Sequence, residues 1–194
     1  MIGTERKNPQ VSLPREGLNA EPWHTGYGWS YFLLPLDTPS KLFGKLGAVV
    51  DCWRERHQDG KPPKLRDFTP RDFSTQWRLA SVMDVVSTDP PTYKVRYWGT
   101  ELNRLHGGEW TGKILTPAES RESVHHLFVS LSDLAFYREN ATGEYIGYAH
   151  GPVEAIRDFR SYVEEITLPL SGDNGEIDKL LFVMFEHESM RVVL

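Results

Sequence analysis

Residues Trp77 to Leu115 read WRLASVMDVVSTDPPTYKVRYWGTELNRLHGGEWTGKIL, and the fold turns on them. From Trp77 to Val86 the residues alternate, with Leu79, Ser81, Met83 and Val85 on one side and Ala80, Val82, Asp84 and Val86 on the other. Apolar residues on both sides predict a strand central in a sheet. Asp89-Pro90-Pro91 can continue neither a ladder nor a helix, so it turns the chain. Thr92 to Trp98 is then the return strand, with Tyr93, Val95 and Tyr97 facing one way and Lys94, Arg96 and Trp98 the other. Gly99 ends it. Thr100 to Leu105 can form one helical turn, and Gly107-Gly108 and Thr111-Gly112 loosen the backbone after it.

Downstream, Thr116-Pro117-Ala118-Glu119 reads as a capping box with proline at the first helical position. It predicts a long helix running to about Arg138, with Val124, Leu127, Phe128, Leu131, Leu134 and Ala135 as its buried stripe. Three strands follow, at Glu144–His150, Arg160–Leu170 and Ile177–Glu186, the last two joined by a turn at Asp173-Asn174-Gly175. Five strands linked largely by hairpins predict an α+β fold built on a five-stranded antiparallel sheet, with helices on one face.

Upstream, Lys41 to Gln58 is predicted as a helix, stopped by Gly60, Pro62 and Pro63. Its stripe is Leu42, Leu46, Val49, Val50 and Trp53, which either packs on the core or forms a dimer seam. Thr69-Pro70-Arg71-Asp72 reads as the start of a short helix. Residues 1–40 are read as a partly flexible arm ahead of a domain spanning 41–194. Within the arm, Trp23, Tyr27, Trp29, Tyr31 and Phe32 are too aromatic to dangle in water. They are expected to lie on a surface of the domain or of a partner.

The 194 residues suit one domain, and the 39% apolar content suits a soluble globular chain. A net charge of -5 gives no reason to expect a nucleic-acid partner. Cys52 is the single cysteine, which excludes an intramolecular disulfide and a cysteine-cluster metal site. No apolar run approaches a membrane span, and the opening residues carry no signal-peptide core. The expected location is the cytoplasm.

The order of elements is that of a PAS domain. Asp84-Val85-Val86, Tyr93 to Thr100, Thr111-Gly112-Lys113, Leu168-Pro169-Leu170 and the Asp173–Gly175 turn together resemble the PAS-like family common in alphaproteobacteria. The helix bearing Trp53 and the segment Leu65-Arg66-Asp67-Phe68 fit the family's N-terminal part, so the resemblance covers Leu42 to Glu186. It implies a sensory or scaffold module, expected to be non-catalytic and to act through a homodimer or a signalling partner; unlike multidomain PAS sensors, no kinase, cyclase or DNA-binding segment is expected, because the domain takes up nearly the whole chain. It also implies a pocket between sheet and long helix, for which Tyr97, His125, Phe128, Leu131 and Tyr148 are the candidates. No cofactor is specified; a haem-binding relative would use a histidine such as His106 or His125. The rival readings are a small α+β enzyme using the same pocket and a ligand-free interaction scaffold.

Motif chemistry is sparse. The seven histidines form neither HExxH nor an i, i+4 pair. The glycines around Lys113 lack phosphate-loop spacing. Glu164 and Glu165 point to opposite faces of a strand, so they make no ready acid/base pair, and surface or salt-bridge roles are expected. Arg96 is expected to pair across strands with a carboxylate.

Overall fold

A computed structural model describes residues 20–26, 28–69, 71–118, 130–155, 159–187 and 190–191. Among them, nine strands form one antiparallel sheet: β1 (His24–Gly26), β2 (Trp29–Pro35), β3 (Ala80–Thr88), β4 (Pro91–Trp98), β5 (Ile114–Leu115), β6 (Tyr145–Ala155), β7 (Phe159–Ser171), β8 (Ile177–Glu186) and β9 (Met190–Arg191). Their order is β1-β2-β6-β7-β8-β3-β4-β5, with β9 on the far end of β7. The five expected strands are β3, β4, β6, β7 and β8. The sheet is larger than expected because the aromatic arm joins it: β2 pairs with β6 from Ser30↔His150 to Pro35↔Tyr145. Residue 40 is therefore not a structural boundary.

Helices cover both faces rather than one. On the back face lies α1 (Gly47–Arg54), preceded by a 3-10 segment, Ser40–Leu46, with a kink at Gly44. Leu46, Val49, Val50 and Trp53 are at most 2% exposed there, packed with Phe32, Ile146, Ile166, Leu168 and Val183 of the sheet. The stripe expected as core or seam is thus buried in the chain's own core, with Leu42 at its margin. Each such apolar side chain contributes about 1.5–3 kcal/mol by leaving water. Trp53 also donates its indole N–H to the Pro169 carbonyl at 2.9 Å, so the largest buried ring carries no unmet donor.

On the front face lie α2 (Leu102–His106) and α3 (Leu131–Asn140). The chain does not run helically through Ser130. That residue adopts extended backbone and caps α3, its hydroxyl accepting from the Asp133 N–H at 3.1 Å while Asp133 returns a bond to the Ser130 N–H. Ser130-Leu131-Ser132-Asp133 supplies a stronger helix start than the interior of one long helix would. The buried side of α3 is Leu134, Phe136, Tyr137 and Asn140, while Leu131 is 47% exposed. Val124, Leu127 and Phe128 lie outside the described residues. Ahead of β3 lies a 3-10 segment, Ser74–Leu79, which starts later than the helix expected from Thr69 and takes in Trp77–Leu79, expected as strand. Asp72 there bonds back to the Thr69 N–H and to Arg56.

The front of β6 is lined by Gly147, Ala149 and Gly151, and this lets side chains approach the sheet directly. A Cβ on Gly147 would sit 2.5 Å from the Asn140 amide, and one on Gly151 would sit 2.5 Å from the Trp29 ring. α3 and the arm are therefore seated against bare backbone.

Candidate functional site

The pleat of β7 sends Val163, Glu165 and Thr167 to the front and Glu164, Ile166 and Leu168 to the back. Glu165 stands between Ala149 of β6 and Met184 of β8, in the middle of the sheet, and is only 4% exposed. Above it is α3. Asp133, in the first turn, accepts the Tyr31 hydroxyl at 2.7 Å, and Tyr137 follows one turn later. Tyr137 packs edge-on against Tyr93 of β4, with ring centroids 5.7 Å apart. Elements distant in sequence thus place two carboxyls and three phenols together inside the front layer.

Tyr31, Asp133, Tyr137 and Glu165 act on one another electrostatically, whereas the charges that act on Tyr93 are those of Arg138 and Glu139. Burial, reinforced by the charge of Asp133, pushes the Glu165 carboxyl well above the ordinary glutamate range. Burial also raises Asp133, against the opposing hydrogen bonds from Ser130 and Tyr31. The phenols of Tyr31 and Tyr137 are raised by burial and by both carboxylates, and that of Tyr93 chiefly by burial. Burial therefore favours the protonated form of Glu165, which can donate as well as accept.

Four polar atoms in this layer have no partner among the described residues: the Tyr93 hydroxyl, Asn140 Oδ1, Glu165 Oε1 and the Thr167 hydroxyl. Tyr93 and Thr167 are fully buried. Buried polar groups nearly always find a hydrogen bond, and each one left unpaired costs about 1–3 kcal/mol. A cluster of such groups is an expense a purely structural core avoids. Chemically it can grip a polar head by several hydrogen bonds, or move a proton between Glu165, Asp133 and a bound molecule.

Of the residues expected to line a pocket, the three described ones, Tyr97, Leu131 and Tyr148, are not brought together. Met83 pairs with Val95 but Val82 pairs with Tyr97, so the register shift leaves Arg96 as an extra residue. The bulge turns Tyr97 to the back face, against Trp77, whose carbonyl accepts its hydroxyl at 2.8 Å. Tyr148 also faces back, among Phe32 and Phe43. Leu131 is exposed at the start of α3. His125 and Phe128 lie outside the described residues. Arg96 does make the expected cross-strand pair, its Nε 2.7 Å from Asp84 Oδ1.

Sequence reasoning did not single out Tyr31, Asp133, Tyr93 or Tyr137, and the surface or salt-bridge role it expected for Glu165 is overturned by burial beneath α3. A signal existed for Glu165: the run Val163-Glu164-Glu165-Ile166-Thr167-Leu168 puts acids in a strand whose other residues suit burial on both faces. Glu164 is equally buried, 3% exposed, on the back face, with its Oε1 3.0 Å from His187 Nε2. His106 is held neutral by burial, its pKa pushed down to about 3. Cys52 is raised by burial, so it is not a poised thiolate.

A groove of about 290 Å³ lies between residues 56–67 and the β7–β8 turn. Its walls carry Arg56, Lys61, Lys64, Arg66, Asp67 and Asp173, and Asp173 already pairs with Lys64 and Arg66. Among the described residues no group of three or more histidine, cysteine or acidic side chains is arranged to hold a metal. Among the same residues no helix is long and apolar enough to cross a membrane.

No family model and no curated protein matches the chain. Solved structures are similar at a distance, and those named are PAS domains. The N-terminal domain of a diguanylate cyclase with a PAS/PAC sensor from Marinobacter aquaeolei is 15% identical, with a TM-score of 0.36, over 55% of this chain and 94% of that one. The PAS domain of an HTR-like protein from Haloarcula marismortui is 15% identical, with a TM-score of 0.38, over 63% of this chain and 94% of that one.

Proposed function

We propose that this chain is a sensory or regulatory module of PAS type that holds a small ligand between the front of the sheet and α3. The observation that carries the reading is the set of polar atoms on Tyr93, Asn140, Glu165 and Thr167 that find no partner among the described residues of the front layer. The order of the β3–β4 hairpin, α2, α3 and three antiparallel strands supports the PAS type. Strand β7 offers a route for the signal, because Glu165 on its front alternates with Ile166 on its back, where α1 packs. A shift of β7 on ligand binding would be felt by α1 and relayed to a partner protein or a second copy of the chain.

Native mass spectrometry of gently purified protein, set against the denatured mass, tests this. Added mass that is lost on denaturation, and lost again in a Thr167→Val, Tyr93→Phe double variant, supports the reading. Retention unchanged by that variant places any ligand elsewhere and refutes it. The same spectrum counts subunits.

A second reading has one observation in its favour. Asp133 and Glu165 are two neighbouring acids with raised pKa values, a pattern suited to acid/base chemistry. A bound molecule that leaves the protein chemically altered would favour an enzyme over a sensor.

A further inference from the structure

We propose that the groove between residues 56–67 and the β7–β8 turn binds the phosphoryl group of a small molecule, and that Asp173 holds the place of that group until it arrives. The groove encloses about 290 Å³, at the low end of the ~300–1,000 Å³ usual for ligand pockets, which suits a small molecule. It shares no residue with the polar cluster of the front layer, so it stands or falls apart from the interior ligand.

The local sequence builds both walls. Gln58-Asp59-Gly60-Lys61 forms a two-residue hairpin turn, with Asp59 and Gly60 at φ 53° and 73° and the Gln58 and Lys61 backbones exchanging bonds of 3.3 and 3.0 Å. Pro62 and Pro63 stiffen the chain after it. Lys64 then precedes a 3-10 segment, Leu65–Asp67, and its N–H donates to Asp67 Oδ2 at 2.8 Å. The Ser171 N–H donates to the Pro63 carbonyl at 2.9 Å, which fastens this wall to the end of β7. The opposite wall is the turn Asp173-Asn174-Gly175, closed by the Gly172 N–H on the Glu176 carbonyl at 2.7 Å.

Three cations converge on that turn. Lys64 Nζ and Arg66 Nη2 lie 3.0 and 3.2 Å from the same oxygen, Asp173 Oδ1. Lys61 Nζ lies 3.2 Å from the place a Cβ on Gly175 would take. Ser171 also lines the groove; it is 5% exposed, and its hydroxyl has no partner among the described residues. Arg56, on the far wall, is committed to the Cys52 and Asp67 carbonyls and to Asp72, so it shapes the groove without serving as a clamp. Of the acids in the walls, Asp67 is engaged by the Lys64 backbone and Asp59 sits exposed at the hairpin tip, which leaves Asp173 as the carboxylate among the cations.

Two cations on one carboxylate oxygen make an anion clamp already filled by the chain itself. The Asp173 side chain is 81% exposed on a turn, and exposed ion pairs are weak, so it swings to water at little cost. A tethered carboxylate nevertheless competes at millimolar effective concentration. A free monocarboxylate offers the cations nothing more than Asp173 does. A phosphoryl group offers about -1.5 to -2 charges at pH 7 and three acceptor oxygens, enough to engage Lys61 together with Lys64 and Arg66.

Amide NMR titrations of the labelled full chain test this, with phenyl phosphate, inorganic phosphate and benzoate at a constant ionic strength of about 0.15 M. Phenyl phosphate should move the amides of Lys64, Arg66, Asn174 and Gly175 and bind at least about tenfold tighter than benzoate. Lys61→Ala with Lys64→Ala, checked for an intact melt, should weaken it by about tenfold or more. Asp173→Asn should tighten it severalfold by removing the competitor. Glu176→Gln removes the same charge from the same turn outside the groove walls and should change affinity by less than about twofold. Inorganic phosphate binding as tightly as the ester assigns the site to the free ion, and tighter binding of the ester assigns it to a phosphorylated small molecule; both uphold the phosphoryl class. Benzoate binding equally well, no shifts at the groove with millimolar probe, or Glu176→Gln matching Asp173→Asn each overturns the proposal. None of these outcomes bears on the front-layer ligand, which the mass measurement decides.

Discussion

Replacing Glu165 by glutamine should make the protein more stable as the pH rises. In the unfolded chain Glu165 ionises near the ordinary glutamate value of about 4.3. In the fold, burial and the Asp133 charge hold its pKa well above the ordinary range. The folded state therefore keeps a proton that the unfolded state has lost. Between the two values, stability falls as pH rises, by up to about 1.4 kcal/mol per pH unit. This is the reverse of a salt-bridged carboxylate, whose contribution is lost as the pH falls. Glutamine keeps the shape and cannot ionise, so its stability curve lacks this component. The two proteins should be closest near the ordinary glutamate value, and the variant should gain on the wild type by up to about 1.4 kcal/mol per pH unit above it. Urea unfolding at half-unit pH intervals measures the difference. Asp133 is present in both proteins, so its own slope largely cancels. A difference that stays constant with pH, or one that favours the wild type increasingly at high pH, would refute the account of Glu165 as a buried neutral acid.

Other substitutions probe the packing. Val49→Asp puts a charge where the side chain is 2% exposed and should unfold the chain, not yield a folded monomer; circular dichroism with light scattering distinguishes the two. Trp53→Ala removes the largest back-face side chain and its bond to Pro169, and should cost about 3–5 kcal/mol in denaturant unfolding. Gly151→Ala drives a methyl into the Trp29 ring and should cost about 1–3 kcal/mol, seen as a lowered melting temperature. Cys52, with its thiol raised by burial, should react with a disulfide reagent more slowly in the native protein at pH 8 than in urea; equal rates would contradict that burial.

Local patterning determined the strands. Alternation at Trp77–Val86 and Thr92–Trp98, the Asp89-Pro90-Pro91 turn and the Asp173–Gly175 turn are short-range signals, and they located β3, β4, β6, β7 and β8, although β3 starts only at Ala80 and β6 runs on to Ala155. The helical stripe at Leu46, Val49, Val50 and Trp53 was equally legible, because spacing on a helix is local. What the stripe packs against is not local, and only the assembled sheet showed it to be the chain's own β strands.

Three features were decided by tertiary structure alone. The aromatic arm became β1 and β2 because the edge of β6 had unpaired backbone groups for it to meet, a long-range event that no pattern within residues 23–35 encodes. The bulge at Arg96 reversed the face of Tyr97, since one extra residue in a ladder flips every side chain beyond it. The polar cluster unites β2, β4, β7 and α3, which are separated by up to a hundred residues and more. A glutamate in a strand reads as a surface residue until a second layer is known to cover it. The neutral, unpaired state of Glu165 is a property of that covering, not of the residue.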